Sequence, residues 1–233
     1  MPDGPSPAAS EIEAPETTYR WTLRDVADEA AVERLAGELN ALPYALSRAL
    51  VLRGVESFDD AHTFFRPSLG RLHDPFQMRD MDRAVERVAR AIRDGERVLV
   101  YGDYDVDGTT STAMMLTFLR SQGVEATFFI PNRFEHGYGL SEAGIDQAVE
   151  RGASLIVALD CGITAVDEAA YAKSRGLDLV ICDHHTAGDT IPDAVAVLDP
   201  KRPDCDYPFK GLSGCGVGFK LIQGVLGELG LPE

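Results

Sequence analysis

Asp103, Asp105 and Asp107 place three carboxylates within five residues, in the segment GDYDVDGTTS. In a partly buried turn such groups repel one another unless a cation sits among them. Asp160 follows in LDCG, and Asp183-His184-His185 in ICDHH. Together they form a mostly oxygen donor set with one or two imidazoles, which suits Mg²⁺ or Mn²⁺ better than zinc, the histidine favouring Mn²⁺. Two such ions, roughly 3.5 to 4 Å apart, activate a water and stabilise the leaving oxygen in phosphodiester hydrolysis. Asp160 is the natural bridging carboxylate. The Asp-x-Asp-x-Asp-Gly pattern also opens calcium loops, but the position where such a loop needs glutamate is Met114 here. A lone aspartate after a strand is often a cap, and a histidine pair is often structural. Their joint occurrence argues for function.

Positioning these groups requires strands that end together. After Gly95 the sequence alternates short apolar runs with amphipathic stretches: VLVY (98–101), ATFFI (126–130), LIVAL (155–159), LVIC (179–182) and VAVL (195–198), with helices expected at 109–122, 141–151 and 164–175. Ser141 and Thr164 are placed as N-caps and Gly123, Gly152 and Gly176 as stops. The pattern predicts an α/β fold, a parallel sheet with helices on both faces. Ligands in such sheets bind beyond the carboxyl ends of the strands, where the acidic and histidine groups fall. Gly108-Thr109-Thr110-Ser111 opens a helix whose backbone N–H groups either hold a phosphate or cap the helix, so Thr109 and Ser111 are candidate substrate contacts.

Residues 1–18, rich in Pro, Ser, Ala and Glu, are expected to be a disordered acidic tail. Residues 19–95 carry apolar side chains at three- and four-residue spacing and are expected to be a small helical N-terminal region, with Ser57 capping a short helix and Trp21, Phe64 and Phe65 in its packing. No apolar run approaches the roughly 18 to 20 residues of a bilayer span, and no secretion signal is evident, so a cytoplasmic protein is expected. Four irregularly spaced cysteines suit a reducing compartment, and Cys161 and Cys182 are expected to be buried and inert. The formal charge of −16 argues on its face against a polyanionic partner.

VLVYGDYDVDGTTSTA, LDCGIT and ICDHH resemble the first three motifs of the DHH phosphoesterase superfamily. RPSLGRLHDPFQMRDMDRAVERV, IPNRFEHGYGLSEAGI and LDPKRPDCDYPFKGLSGCGVGFKL are similar to segments of its RecJ branch of 5′-to-3′ single-strand DNA exonucleases. The resemblance spans about Tyr19 to Leu226. It implies that Asp105, Asp107, Asp160 and His184 bind metal, that His185 meets the scissile phosphate, and that Asp183 orients the histidines, with Asp103 similar in place. It also implies that Arg133, Gly137 and Tyr138 face the nucleic-acid backbone, and that helicases or single-strand binding proteins are possible partners.

The chain departs from the pattern at Tyr101, where many members have histidine. The resemblance further implies that the fourth acidic motif and the DHH-associated and OB-type domains follow Glu233, so the DHH phosphoesterase domain expected at 96–233 is truncated before that motif. Much of the basic DNA-gripping surface would then lie elsewhere, which in part reconciles the charge with a DNA substrate. The expected activity is release of 5′-mononucleotides from single-stranded DNA, in repair and recombination, with Mn²⁺ or Mg²⁺. A small-substrate phosphodiesterase acting on oligonucleotides or cyclic dinucleotides is an alternative, and so is a catalytically silent binding module.

Overall fold

The computed structural model describes residues 20, 22–134, 137 and 139–232. The expected acidic tail, Trp21 and Tyr138 lie outside them. The chain divides into two compact units, Met1–Arg71 and Leu72–Glu233.

The first unit holds three short helices, α1 (Glu29–Glu38), α2 (Tyr44–Val51) and α3 (Phe58–Phe65). Ser57 caps α3 in a reciprocal capping box with Asp60. Ala31, Val32, Leu35, Leu50, Val51, Val55 and Ala61 form the small core. Phe64 and Phe65 do not join it. They are 50% and 61% exposed and line a surface groove with Leu39, Leu42 and Leu46, because α3 reaches the core through Ala61 and its last turn runs past it.

The second unit is a three-layer α/β sandwich. Five parallel strands, β1 (Val98–Gly102), β2 (Ala126–Phe129), β3 (Leu155–Leu159), β4 (Asp178–Cys182) and β5 (Ala196–Leu198), lie in the order β2-β1-β3-β4-β5. The central strands are buried on both faces, which is why they read as unbroken apolar runs. Val98, Val100, Val157, Leu159 and Val180 face one side, where α4 (Met81–Asp94), α5 (Val106–Ser121) and α8 (Gly214–Leu229) cover them. Leu99, Tyr101, Ile156, Ala158 and Ile181 face the other, under α6 (Glu142–Glu150) and α7 (Val166–Ser174).

The helical rhythm grouped α4 with the N-terminal region. Its buried stripe of Met81, Ala84, Val85 and Val88 instead belongs to the core of the second unit, so the division between the units falls near residue 71. The third expected helix also starts later. Ala165, with no side-chain cap, stands where Thr164 was expected, because Ile163 just before it donates its N–H to Asp183 and fixes the preceding turn. The strand order reverses between β1 and β3, which opens the crevice at their carboxyl ends.

Candidate metal centre

Asp103 leaves the tip of β1 buried, its Oδ1 taking the Tyr104 N–H at 2.7 Å. Burial, with the Asp105 and Asp183 charges, raises its pKa. Asp105 is the N-cap of α5, and its Oδ1 accepts the Gly108 N–H at 2.9 Å. The chain can turn this tightly because residue 108 is glycine: a Cβ there would lie 2.5 Å from the Asp103 carbonyl oxygen. Asp107 points the other way. Its two oxygens accept the N–H groups of Gly214 at 2.7 Å and Cys215 at 2.8 Å, at the start of α8.

Asp160, at the tip of β3, is 1% exposed and has φ 63°. Only a few non-glycine residues, Asp and Asn foremost, tolerate this left-handed conformation. Its N–H is anchored on the Cys182 carbonyl at 2.8 Å. Burial, joined by the charges of Asp107 and Asp105, pushes its pKa up to about 7. Among the described residues, Asp160 Oδ1 and Asp199 Oδ2 are the buried side-chain oxygens without a hydrogen-bond partner. His184 Nε2 stands 3.2 Å from Asp160 Oδ1 and 3.7 Å from Asp107 Oδ2, close to both carboxylates yet hydrogen-bonded to neither.

Beyond β4, Asp183 is buried and fully occupied. Oδ1 accepts the N–H groups of His184 and His185 and lies 2.7 Å from His185 Nδ1, while Oδ2 accepts the Ile163 N–H. The His185 side chain is 45% exposed. Burial works against its charge, but the Asp183 hydrogen bond and the Asp183 and Asp160 charges outweigh it, and its pKa is raised. A pocket opens beside His185, walled by Gly139, Leu140, Gly162, Ile163, Thr164 and Glu168.

Two donor triads result. Asp103, Asp105 and Asp160 bring one ligand atom each within 4.8 Å of one another, and so do Asp160, His184 and His185. Asp160 is common to both. The orphaned, buried oxygen and the surrounding carboxylates and imidazoles fit a divalent cation, which would relieve both the desolvation and the mutual repulsion.

The profile described as the DHH family, N-terminal domain, matches residues 97–232. The chain belongs to the DHH family. Within it, the single-stranded-DNA-specific exonuclease RecJ of Bacillus subtilis is 43% identical over 210 residues, 90% of this chain and 26% of the relative. RecJ of Escherichia coli is 43% identical over 183 residues, 78% and 31% respectively. RecJ of Thermus thermophilus solved with Mn²⁺ superposes with a TM-score of 0.70 at 27% identity, over 91% of this chain and 29% of that one. A manganese-bound RecJ exonuclease gives 0.60 at 35% identity, over 66% and 39%. The chain thus spans about a quarter to a third of the curated relatives it matches. No described helix is long and apolar enough to cross a membrane.

The remaining candidates of this DHH chain fall at different distances from the triads. Arg133 lies over the Tyr104 ring, 5.6 Å from its centroid, which draws the loop after β2 towards the loop after β1. Gly137 has φ 76°. Thr109 is exposed, but its hydroxyl donates to the Asp105 carbonyl at 2.7 Å. Ser111 is a correction: it is fully buried, its hydroxyl donating to the carbonyls of Asp107 and Gly108, out of reach of a substrate. The Gly108 and Thr109 N–H groups go to Asp105, so this turn caps its helix and does not offer those donors to a phosphate. Tyr101 turns from the centre and hydrogen-bonds the Gly139 carbonyl at 2.9 Å, holding the loop before α6. Burial pushes the Cys161 and Cys182 thiols up, which keeps them inert.

Sequence reasoning passed over two features. Asp199 follows β5 as the other acids follow their strands; it is buried, and burial pushes its pKa up to about 6. The same strand-then-acid pattern in LDP was the available signal. The Gly214-Cys215 contact to Asp107 had no local signal, since 107 residues separate Gly214 from its partner.

Proposed function

We propose that this chain carries the metal-binding, catalytic face of a single-strand DNA exonuclease that works from the 5′ end, releases 5′-mononucleotides and serves DNA repair and recombination. The observation that carries this reading is the pair of donor triads sharing Asp160, whose buried Oδ1 has no hydrogen-bond partner among the described residues. Single-stranded DNA as substrate is supported by the RecJ names of the relatives, and Mn²⁺ or Mg²⁺ by the ions in the solved RecJ structures.

Asp105, Asp107, Asp160 and His184 are the proposed metal ligands; Asp103 completes the first triad, and Asp107, a member of neither, lies 3.7 Å from His184 Nε2. A bound divalent ion there supplies Lewis acidity, acidifying a water and neutralising charge on a phosphodiester. The chain's own groups do the rest. Asp183 fixes the ring of His185 and favours its protonated form, so that the half-exposed imidazole can hold a proton beside the scissile phosphate. Arg133, braced on Tyr104, offers a guanidinium to the strand's backbone.

The test is degradation of 5′-labelled single strands in Mn²⁺, by this chain alone and joined to the remaining segments of a RecJ relative. Mn²⁺-dependent release of mononucleotides by the joined form is expected, with Asp160→Ala inactive. No degradation by the joined form, or full activity of Asp160→Ala, refutes the reading.

A further inference from the structure

We infer that the first turn of α8, through Gly214 and the amide of Cys215, is a positioning element of the metal centre: it holds the Asp107 carboxylate and, lacking a side chain at 214, leaves the space that the Asp160 carboxylate occupies. The inference rests on the metal-binding reading above and extends it to residues that carry no ligand atom.

Three observations converge on this turn. Both oxygens of Asp107 are held by consecutive backbone N–H groups, Gly214 at 2.7 Å and Cys215 at 2.8 Å. Two N–H groups at the start of a helix, one on each oxygen, fix the plane of the carboxylate. Each carboxylate oxygen has two lone pairs, so this grip leaves Asp107 an acceptor direction towards His184 and the ion.

On its other side, Gly214 abuts Asp160. A Cβ at position 214 would stand 2.4 Å from Asp160 Oδ1 and 2.6 Å from Asp160 Cβ. The Asp160 side chain must give way, since its main chain cannot. It is buried, its backbone is in the left-handed region, and its N–H is pinned on Cys182. Any side chain at 214 therefore displaces the carboxylate that both triads share.

The third observation is the turn's own rigidity. Ser213 caps α8 by accepting the Gly216 N–H at 3.2 Å, and behind it Gly218 would bring a Cβ to 3.0 Å from Leu159 Cδ2 on β3. The helix is thus seated tightly on the strand that delivers Asp160. Its register along β3 sets where Gly214 meets the site.

Titration calorimetry with MnCl₂ on the whole chain tests this, comparing Gly214→Ala with Gly216→Ala, whose Cβ first meets Leu212 at 3.2 Å and does not touch Asp160. Gly214→Ala is expected to bind Mn²⁺ about 10- to 100-fold more weakly, the loss typical of removing an outer partner of a ligand. Gly216→Ala is expected to bind and melt as the unaltered chain, while metal-free Gly214→Ala melts lower but in one cooperative transition, so that its affinity is read on folded protein. Cys215→Pro keeps the test decisive if Gly214→Ala does not fold: it removes one amide donor to Asp107 at a first-turn position where proline is tolerated, and weaker Mn²⁺ binding is again expected. Unchanged affinity in Gly214→Ala, or in Cys215→Pro where the first does not fold, overturns the inference, as does equal weakening by Gly216→Ala. If the unaltered chain binds no Mn²⁺, the metal-centre reading falls as well, which separates the two failures.

Discussion

His185 Nδ1 lies 2.7 Å from Asp183 Oδ1, and that same oxygen accepts the backbone N–H of both histidines. One buried carboxylate therefore sets the turn and the ring it presents. In Asp183→Asn the ring loses its charged partner, so the raised pKa of His185 should fall, which ring-proton NMR titration of the metal-free protein reads directly. In the unaltered protein the stabilisation linked to His185 is fully present below its unfolded value and lost as pH rises through the folded one. Activity of the joined form should fall about 10- to 100-fold in Asp183→Asn, since the orienting partner is gone.

Asp160 gives a pH dependence of the same sign for a different reason, its burial. Its pKa of about 7 in the metal-free fold, against about 4 in an unfolded chain, means that the native state holds a proton the unfolded state has lost. Stability of the metal-free protein should therefore decline as pH rises from about 4 to about 7. Asp160→Asn should remove that decline, gaining on the order of 2 kcal/mol at pH 8 in urea unfolding. Added Mn²⁺ should raise the melting temperature of the unaltered protein and leave that of the variant where it was.

Gly108→Ala places a Cβ 2.5 Å from the Asp103 carbonyl oxygen and 2.6 Å from its Cα, atoms of the backbone that cannot swing aside. A loss of about 1 to 3 kcal/mol in chemical denaturation is expected. Because the same turn carries Asp103 and Asp105, Mn²⁺ affinity measured by calorimetry should drop with it.

Ser57→Ala provides the contrast. It removes the capping box of α3 in the first unit, costing about 1 kcal/mol of stability, and calorimetry should show Mn²⁺ affinity unchanged.

Arg133→Ala should weaken binding of single strands of every sequence alike. The slope of log affinity against log salt should shrink by about one contact, as measured by fluorescence anisotropy across a salt series.

The central strands were legible because β1 and β3 are buried on both faces: LIVAL reads from the sequence as residues 155–159 and is β3 to the residue. The acids at the strand tips were legible for the same reason, since a charge after an apolar run marks where the sheet ends. Ser111 was misread because a hydroxyl in the first turns of a helix has two uses, and only the fold shows that this one turns inward to the Asp107 carbonyl. The start of α8 was illegible for another reason. Gly214, Gly216, Gly218, Gly224 and Gly227 make GCGVGFKLIQGVLGEL a poor helix by propensity, and the close approach to β3 and α4 that these residues permit exists only once the sheet is formed. A hydrogen bond between residues 107 and 214 leaves no mark in local pattern.

That bond also bears on the order of events during synthesis. The clustered acids of 103–107 leave the ribosome long before residues 214 and 215, which hold one of them in place. Until α8 docks, the growing chain has its acids but not the seat that aligns them. The centre is therefore assembled only after more than a hundred further residues have been made, so its acids wait on a helix that is synthesised well after them.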